Sequence, residues 1–280
     1  MGIKLAGPIA LLFPGQGVQK PGMGKNLYDR YPAARRVFER AEQVLEMPVR
    51  KLCFDGPVEE LNRTDVIQPC VMTVCWAAYE VWRESYGLEN VSVTAGHSLG
   101  EIASLAAAGS IPWETALLLV KERGRVMAEA AGAHVGMIAI VGLEESAVER
   151  IRIEASQQGR LWVANRNADV QFVLSGDAAA AFRRAVDKLP LKPPSIPILA
   201  NASGEALRTV TALQEELRLQ MLRQVDWART MVAMRAMKVR TVVELGPGRV
   251  LASLAAKHIP GVDTWNADEL FVDFAGPTTA

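Results

Sequence analysis

One short motif constrains the fold more than any other feature of the chain. Gly96-His97-Ser98-Leu99-Gly100 follows an apolar run, VSVTA at 91–95, and precedes a run of small residues, EIASLAAA at 101–108. The first run is typical of a buried strand and the second of a helix. G-x-S-x-G at such a junction predicts a sharp turn that exposes Ser98 as a nucleophile. The alternative is a tight glycine turn with an inert serine.

The order of elements predicts an α/β class, with an α/β-hydrolase-like, doubly wound core. Periodicity places strands at 9–13, 91–95, 196–200 and 241–245. It places helices at 26–45, 69–85 (opened by Pro69), 100–108, 112–131, 212–222, 227–237 and 250–258.

The middle of the chain has a different pattern. Strands at 135–141, 161–164 and 170–175, with helices at 144–157 and 177–188, give the order β-α-β-β-α. This order starts a ferredoxin-like unit, whose last strand is apparently missing. We therefore predict a large α/β-hydrolase-like domain of residues 1–133 and 193–280. Residues 134–192 would form a small inserted ferredoxin-like α+β subdomain.

Composition excludes several classes of protein. The chain has 31 Lys plus Arg and 31 Asp plus Glu in 280 residues, which argues against bulk nucleic-acid binding. No apolar run reaches the length of about 18 residues needed for a membrane span. The N-terminus is better explained as a buried strand that enters a glycine-rich loop than as a signal peptide.

The cysteines argue against metal chemistry and for a reducing compartment. Cys53, Cys70 and Cys75 are an odd number without C-x-x-C spacing, which favours core packing in a cytoplasmic protein. A zinc site would need four ligands at finger-like or H-E-x-x-H spacing, and neither pattern is present. We expect no metal site.

The nucleophile needs amide groups that can stabilise an oxyanion. One donor is normally the N–H of the residue after the nucleophile, here Leu99. A second could be the N–H of Gln16, since Gly15 and Gly17 flank it in the loop after the first strand. The alternative for this loop is an ordinary strand-to-helix turn.

Several separated segments resemble one family, the malonyl-CoA:acyl carrier protein transacylases. They are FPGQG at 13–17, PGMG at 21–24, LNRTDVIQP at 61–69, GHSLGE at 96–101, KERGRVM at 121–127, LWVANRNADVQFVLSG at 161–176 and VELGPGRVL at 243–251. The family includes fatty-acid synthase transacylases and polyketide synthase acyltransferases. The similarity covers most of residues 8–258.

The resemblance implies a two-step acyl transfer for fatty-acid or polyketide synthesis. Ser98 would take the malonyl group from coenzyme A as an ester and pass it to the phosphopantetheine thiol of an acyl carrier protein. The coenzyme A thioester is then a substrate, and no bound cofactor is expected. The partners would be malonyl-CoA and the carrier protein, with no nucleic acid or membrane, and the chain would be a monomer.

The resemblance also implies roles for individual residues. The main chain of Gln16 and Leu99 would form the oxyanion hole, Arg123 would bind the free carboxylate of the substrate, and Gln68 and Asn165 would line the site.

The role of Arg123 also has a physical argument. A planar guanidinium can meet both oxygens of a carboxylate that would be costly to bury unpaired. Arg125, two residues further on, projects to a different helix face. The alternative for any one Arg in this segment is a solvated surface charge.

The chain departs from the family at the general base, which a serine nucleophile requires. In the family, this base is a His between the insert and the following strand. Here Val173-Leu174-Ser175-Gly176 continues to DAAAAFRRAVDKL and PLKPPSIPILANASG, and the His-bearing stretch is absent. His97 and His134 are the candidate substitute bases. His258 better fits the C-terminus of the last helix.

Three hypotheses follow. The protein is a malonyltransferase with an altered base, a hydrolase that releases acyl groups from carrier proteins, or an acyltransferase-like scaffold with impaired catalysis. Arg123 argues against the hydrolase, because a carboxylate clamp favours malonyl over general acyl chains. The absent His favours the scaffold.

Overall fold

The structure is a computed structural model. It describes residues 3–131, 138–141, 162–168, 171–175 and 179–271, with four isolated positions between 146 and 153. For 130–131, 138–141, 162–168, 171–175 and 179–181 the description concerns the backbone alone. The predicted helix 144–157 therefore lies for the most part outside the described residues.

The strands form two sheets. They are β1 (Ile9–Phe13), β2 (Val91–Gly96), β3 (Ile138–Val141), β4 (Trp162–Ala168), β5 (Gln171–Ser175), β6 (Ile198–Leu199), β7 (Ala206–Leu207), β8 (Val225–Asp226), β9 (Thr241–Glu244) and β10 (Asp263–Asn266). The larger sheet has the order β10-β9-β1-β2-β6-β7 and is parallel except between β6 and β7. Because β1 is flanked by β2 and β9, the carboxyl ends of these three strands meet at one edge.

Most of the predicted helices have a counterpart among the helices of the described residues. They are α1 (Lys25–Arg30), α2 (Pro32–Leu45), α3 (Val49–Asp55), α4 (Val58–Leu61), α5 (Thr64–Tyr86), α6 (Leu99–Ala107), α7 (Trp113–Ala131), α8 (Ala179–Val186), α9 (Val210–Leu219), α10 (Trp227–Ala236), α11 (Val250–His258) and α12 (Ala267–Leu270). Within the described part of the chain, no helix is both long and apolar enough to cross a membrane.

Two helices differ from the prediction by more than a few residues at one end or by a break. The helix expected over 26–45 is interrupted at Tyr31, which is extended (φ −119°, ψ 118°). A residue before proline is driven out of helical geometry, and Pro32 follows. The helix expected to open at Pro69 begins at Thr64 instead, so that prediction was wrong. Pro69 lacks one backbone donor, but buried apolar neighbours keep this turn helical.

Both faces of the larger sheet are covered by helices, as the prediction of a doubly wound α/β core requires. Alternate residues of β1 point to opposite faces, so Leu11 and Phe13 lie in one apolar cluster and Ala10 and Leu12 in another. Helices α2, α5, α6 and α7 pack in the first cluster. Helices α10 and α11 pack in the second. Strand β1, at the centre of the sheet, is thereby buried along its whole length.

The smaller sheet has the order β3-β5-β4-β8. Strands β3, β5 and β4 are antiparallel neighbours, and β8, which comes from outside the predicted insert, pairs in parallel with β4.

Helix α8 packs against α7 and α9, and its Phe182 and Val186 lie in the main apolar cluster. The division into residues 1–133 with 193–280 and residues 134–192 stays a prediction. The packing of α8 favours an end to the insert before this helix.

Candidate active site

Ser98 stands at a sharp corner between β2 and α6. Its backbone has φ 56° and ψ −112°, a strained conformation for a residue with a side chain. Flanking glycines make the corner possible. A Cβ on Gly96 would lie 1.9 Å from the carbonyl oxygen of Gly100, and a Cβ on Gly100 would lie 2.1 Å from that of Phe13. The sharp turn predicted from G-x-S-x-G is present.

The hydroxyl of Ser98 meets the guanidinium of Arg123. Nη2 of Arg123 donates to Oγ of Ser98 across 2.9 Å. In the described part of the chain, no other hydrogen-bond partner of this Oγ is found. The two residues expected to be nucleophile and carboxylate clamp are thus in direct contact.

Arg123 is a buried cation whose protein contacts are to uncharged groups. It is 5 % exposed. Nη1 donates to Oε1 of Gln68 (2.9 Å), Nε donates to Oε1 of Gln220 (3.1 Å), and the ring of Phe182 lies 6.0 Å from the guanidinium carbon. Burial lowers the pKa of Arg123 to about 10, an effect that the charge of Glu101 partly opposes. The guanidinium has no carboxylate among its hydrogen-bond partners, so it can bind the carboxylate of a ligand.

A second layer of polar side chains holds the corner from behind. Asn201 accepts at Oδ1 from the N–H of Ser98 (2.8 Å) and donates from Nδ2 to the carbonyl of Gly96 (2.7 Å). Its own N–H donates to Oε1 of Glu101 (3.1 Å). The amide Nε2 of Gln220 donates to Oε2 of Glu101 (2.8 Å) and to the carbonyl of Ser98 (3.2 Å).

Glu101 is the member of this layer that can ionise. It is 1 % exposed, on the first turn of α6. Burial, with a smaller contribution from nearby Glu216, raises the pKa of Glu101 to about 8. A carboxyl group with this pKa is largely neutral at pH 7.

Sequence reasoning missed Asn201, Glu101 and Gln220. The available signal was Glu101, since a carboxylate within EIASLAAA falls in a segment otherwise suited to burial. Asn201 directly follows the predicted strand 196–200, and Gln220 lies near the end of the predicted helix 212–222, but neither local pattern marks the side chain as part of the site.

The loop after β1 lies against the nucleophile corner. A Cβ on Gly15 would lie 2.6 Å from the carbonyl oxygen of His97. The N–H of His97 donates to the carbonyl of Phe13 (2.9 Å), which continues the pairing of β1 with β2. Among the described residues, no hydrogen bond uses the N–H of Gln16 or of Leu99. Both amides can donate to a ligand, and their predicted oxyanion role stays a prediction.

Gln68 and Asn165 are the other residues expected to bind the substrate. Gln68 is fully buried and bonds Arg123, so it lies at the site. Asn165 is described by its backbone, on β4 beside Val225. Arg125 is exposed and pairs with Glu122 and Glu129, which confirms that it faces away from Arg123.

Two of the three histidines, His97 and His258, lie among the described residues. The ring of His97 packs 5.6 Å from that of Trp227, and its Nδ1 would be 3.2 Å from a Cβ on Gly15. His134 lies outside the described residues. The role of either as a base stays a prediction. His258 is exposed in the last turn of α11, as expected from its sequence context.

A buried strand–serine–helix corner, joined to a buried arginine, defines a serine acyltransferase or hydrolase type of site. A family model described as the acyl transferase domain matches residues 10–192. The chain therefore belongs to the acyl transferase domain family.

Individual relatives narrow the similarity. A malonyl CoA-acyl carrier protein transacylase of Bacillus subtilis (strain 168) is 33 % identical over 286 residues, covering 89 % of this chain and 90 % of that protein. The crystal structure of an acyl-carrier-protein-S-malonyltransferase from Bartonella henselae has a TM-score of 0.84 at 30 % identity, covering 96 % of this chain and 97 % of that one. A malonyl-transacylase in complex with a type II PKS acyl-carrier protein has a TM-score of 0.81 at 30 % identity, with coverage of 92 % and 94 %.

Proposed function

We propose that this chain is a malonyl-CoA:acyl carrier protein S-malonyltransferase in which Ser98 carries the malonyl group. The observation that supports this most is Arg123, a buried cation with uncharged partners that touches the hydroxyl of Ser98. The relatives named as malonyl transacylases agree with this assignment. We extend it to the partners, an acyl carrier protein and malonyl-CoA, because one such relative was solved with a carrier protein.

The reaction proceeds in two displacements. Oγ of Ser98 attacks the thioester carbon of malonyl-CoA, the new C–O bond replaces the C–S bond, and the coenzyme A thiol leaves with a proton. The phosphopantetheine thiol of the carrier protein then attacks the seryl ester, which restores the C–S bond and returns the proton to Oγ. The coenzyme A thioester is consumed as a substrate.

Arg123 accounts for the choice of a malonyl group. The carboxylate of a malonyl thioester is separated from the thioester carbon by a single methylene, so the two groups must bind close together. Nη2 of Arg123 lies 2.9 Å from Oγ of Ser98, which provides this closeness. A bidentate bond to the carboxylate would compensate the buried charge of Arg123.

The amides of Gln16 and Leu99 would stabilise the oxyanion. The positive end of α6 is directed at the same place, because α6 starts at Leu99. Arg123 assists further, since its hydrogen bond to Oγ stabilises an alkoxide over a hydroxyl. This support lowers the demand on the general base, for which His97 and His134 are the candidates.

Intact-protein mass spectrometry tests the proposal. After incubation with malonyl-CoA, the wild-type chain should gain the mass of one malonyl ester, and the Ser98→Ala variant should not. Addition of a holo carrier protein should then move the label to the carrier faster than water removes it. Loss of the label to water alone would favour the hydrolase, and absence of any ester over a pH series would favour the scaffold.

A further inference from the structure

Gln220 joins the two reactive groups of the site. It follows the last residue of α9, is 6 % exposed, and reaches the corner at Ser98 from 122 positions further along the chain. Both ends of its amide are occupied. Oε1 accepts from Nε of Arg123, and Nε2 donates to the carbonyl of Ser98 and to Glu101.

The chemistry of the partners sets the orientation of this amide. Arg123 can only donate, so it requires the amide oxygen of Gln220. The carbonyl of Ser98 can only accept, so it requires the amide nitrogen. In a flipped amide, the NH2 group would face the N–H of Arg123 and the amide oxygen would face the carbonyl of Ser98, so neither hydrogen bond could form. The side chain therefore holds the guanidinium and the nucleophile backbone at a set separation.

The remaining donors of Arg123 show what this arrangement leaves free. A guanidinium has five N–H groups. Three are used, by Gln220 at Nε, by Gln68 at Nη1 and by Ser98 at Nη2, which leaves 5 − 3 = 2, one on each terminal nitrogen. A carboxylate bound by both oxygens needs two such donors.

We propose that Gln220 is a positioning residue, which secures the Nε edge of Arg123 to the backbone of Ser98 and so directs a substrate carboxylate to the Nη1 and Nη2 nitrogens. The inference rests on the proposed malonyl transfer. It assigns to Gln220 part of the selection of malonyl over acetyl groups, although Gln220 itself need not touch the substrate.

The test is single-turnover acylation of Ser98, followed by intact mass, with malonyl-CoA and acetyl-CoA as separate donors. Gln220→Met keeps the length of the side chain but removes its three hydrogen bonds. We expect malonylation to slow by roughly 10–100-fold, the effect of a misplacement of about 1 Å. Acetylation, which does not use Arg123 as a clamp, should slow much less. The malonyl-to-acetyl rate ratio should therefore fall.

Gln220→Glu provides a second variant of the same shape. Its carboxylate would pair with Arg123 and compete with the substrate carboxylate. We expect the malonyl-CoA concentration for half-maximal loading to rise, whereas that for acetyl-CoA should change little. If Gln220→Met fails to fold, this variant decides the matter by the same comparison of donors.

Gln224→Met is the matched control. Gln224 lies four positions further along, and its Nε2 is buried without a hydrogen-bond partner among the described residues. Its substitution should leave both loading rates at wild-type values. The inference is overturned if the Gln220 variants keep the wild-type malonyl-to-acetyl ratio, including the case in which both rates fall equally. A wild-type chain that forms no Ser98 ester would overturn the proposed function as well, so the two failures are distinguishable.

Discussion

Arg123 donates a hydrogen bond from Nη2 to the Oγ of Ser98 across 2.9 Å, at the edge of the larger sheet where β2 ends. In the proposed function, one cation thus touches the attacking atom and also binds the malonyl carboxylate. The guanidinium can bind the carboxylate and Oγ of Ser98 at the same time, because two of its five N–H groups have no partner among the described residues. In the proposed function, this contact therefore links activation of the nucleophile to the choice of substrate.

Replacement of Arg123 should change the acyl preference of the chain. In Arg123→Ala, we expect malonyl loading of Ser98 to fall by about 10²-fold or more, in line with a lost charge-assisted bond of roughly 3 kcal/mol. Acetyl loading should fall less. The measurement is the ratio of the two loading rates by intact mass. Arg125→Ala, on the exposed face of the same helix, is the control, and an unchanged ratio in Arg123→Ala would reject the clamp.

The corner at Ser98 should not tolerate a side chain on Gly100. Its Cβ would lie 2.1 Å from the carbonyl oxygen of Phe13, so strand and helix would have to separate. We expect Gly100→Ala to lower the free energy of unfolding by roughly 2–4 kcal/mol. Urea unfolding followed by circular dichroism measures it. Gly7→Ala, whose Cβ would be in ordinary contact at 3.4 Å from Asn90, should cost much less.

Asn201 should matter to both stability and loading. It is 3 % exposed and satisfies the N–H of Ser98 and the carbonyl of Gly96. Its removal leaves both groups without a partner, which costs roughly 1–3 kcal/mol per group. We expect Asn201→Ala to lower the melting temperature and to slow malonyl loading. Asn62→Ala, at an exposed position, should do neither, and an Asn201→Ala variant equal to it would contradict this role.

The stability of the chain should decrease as the pH rises above about 5. Burial raises the pKa of Glu244 to about 7 and that of Glu101 to about 8, from an ordinary value of 4.5. Between these limits the unfolded chain has lost the protons that the folded chain still binds, so a higher pH favours unfolding. The contribution of these two groups to the free energy of unfolding is greatest below their ordinary pKa of 4.5 and is lost by about pH 8.

Glu244→Gln isolates one of these groups. Glu244 caps α11 through the N–H of Ala252 (2.8 Å), and a glutamine oxygen can accept the same bond. From pH 5.5 to 7.5, we expect the variant to gain roughly 1–3 kcal/mol relative to wild type. Unfolding curves at several pH values measure this difference. The exposed Glu59→Gln variant should follow wild type, and a parallel Glu244→Gln curve would contradict the assignment.

Much of the fold could be read from local patterns, and the errors have local causes. The strand–turn–helix at Ser98 was predicted because the motif and its flanks are contiguous. The break at Tyr31 could also have been predicted, because Pro32 restricts the residue before it. The start of α5 could not, because tertiary burial of apolar residues before Pro69 overrides the cost of the proline within the helix.

Some residues of the site could be named from the sequence, and others could be found only in the structure. Ser98, Gln68 and Arg123 were named from motifs, and the structure brings their side chains together. Asn201 and Gln220 were not named, because they contact Ser98 from 103 and 122 positions away in the chain. A contact between segments so far apart in the chain leaves no trace in the local pattern of either segment.

By itself, the sequence determined the α/β class, the sharp corner at Ser98 and the presence of a charged residue suited to bind a carboxylate. Those depend on spacing within a few residues, where chain geometry leaves few choices. Only the tertiary structure decided that Arg123 is buried among uncharged partners, and that Gln220 and Asn201 hold the nucleophile from behind. Burial and hydrogen-bond partners are properties of neighbours in space, and folding alone brings those neighbours together.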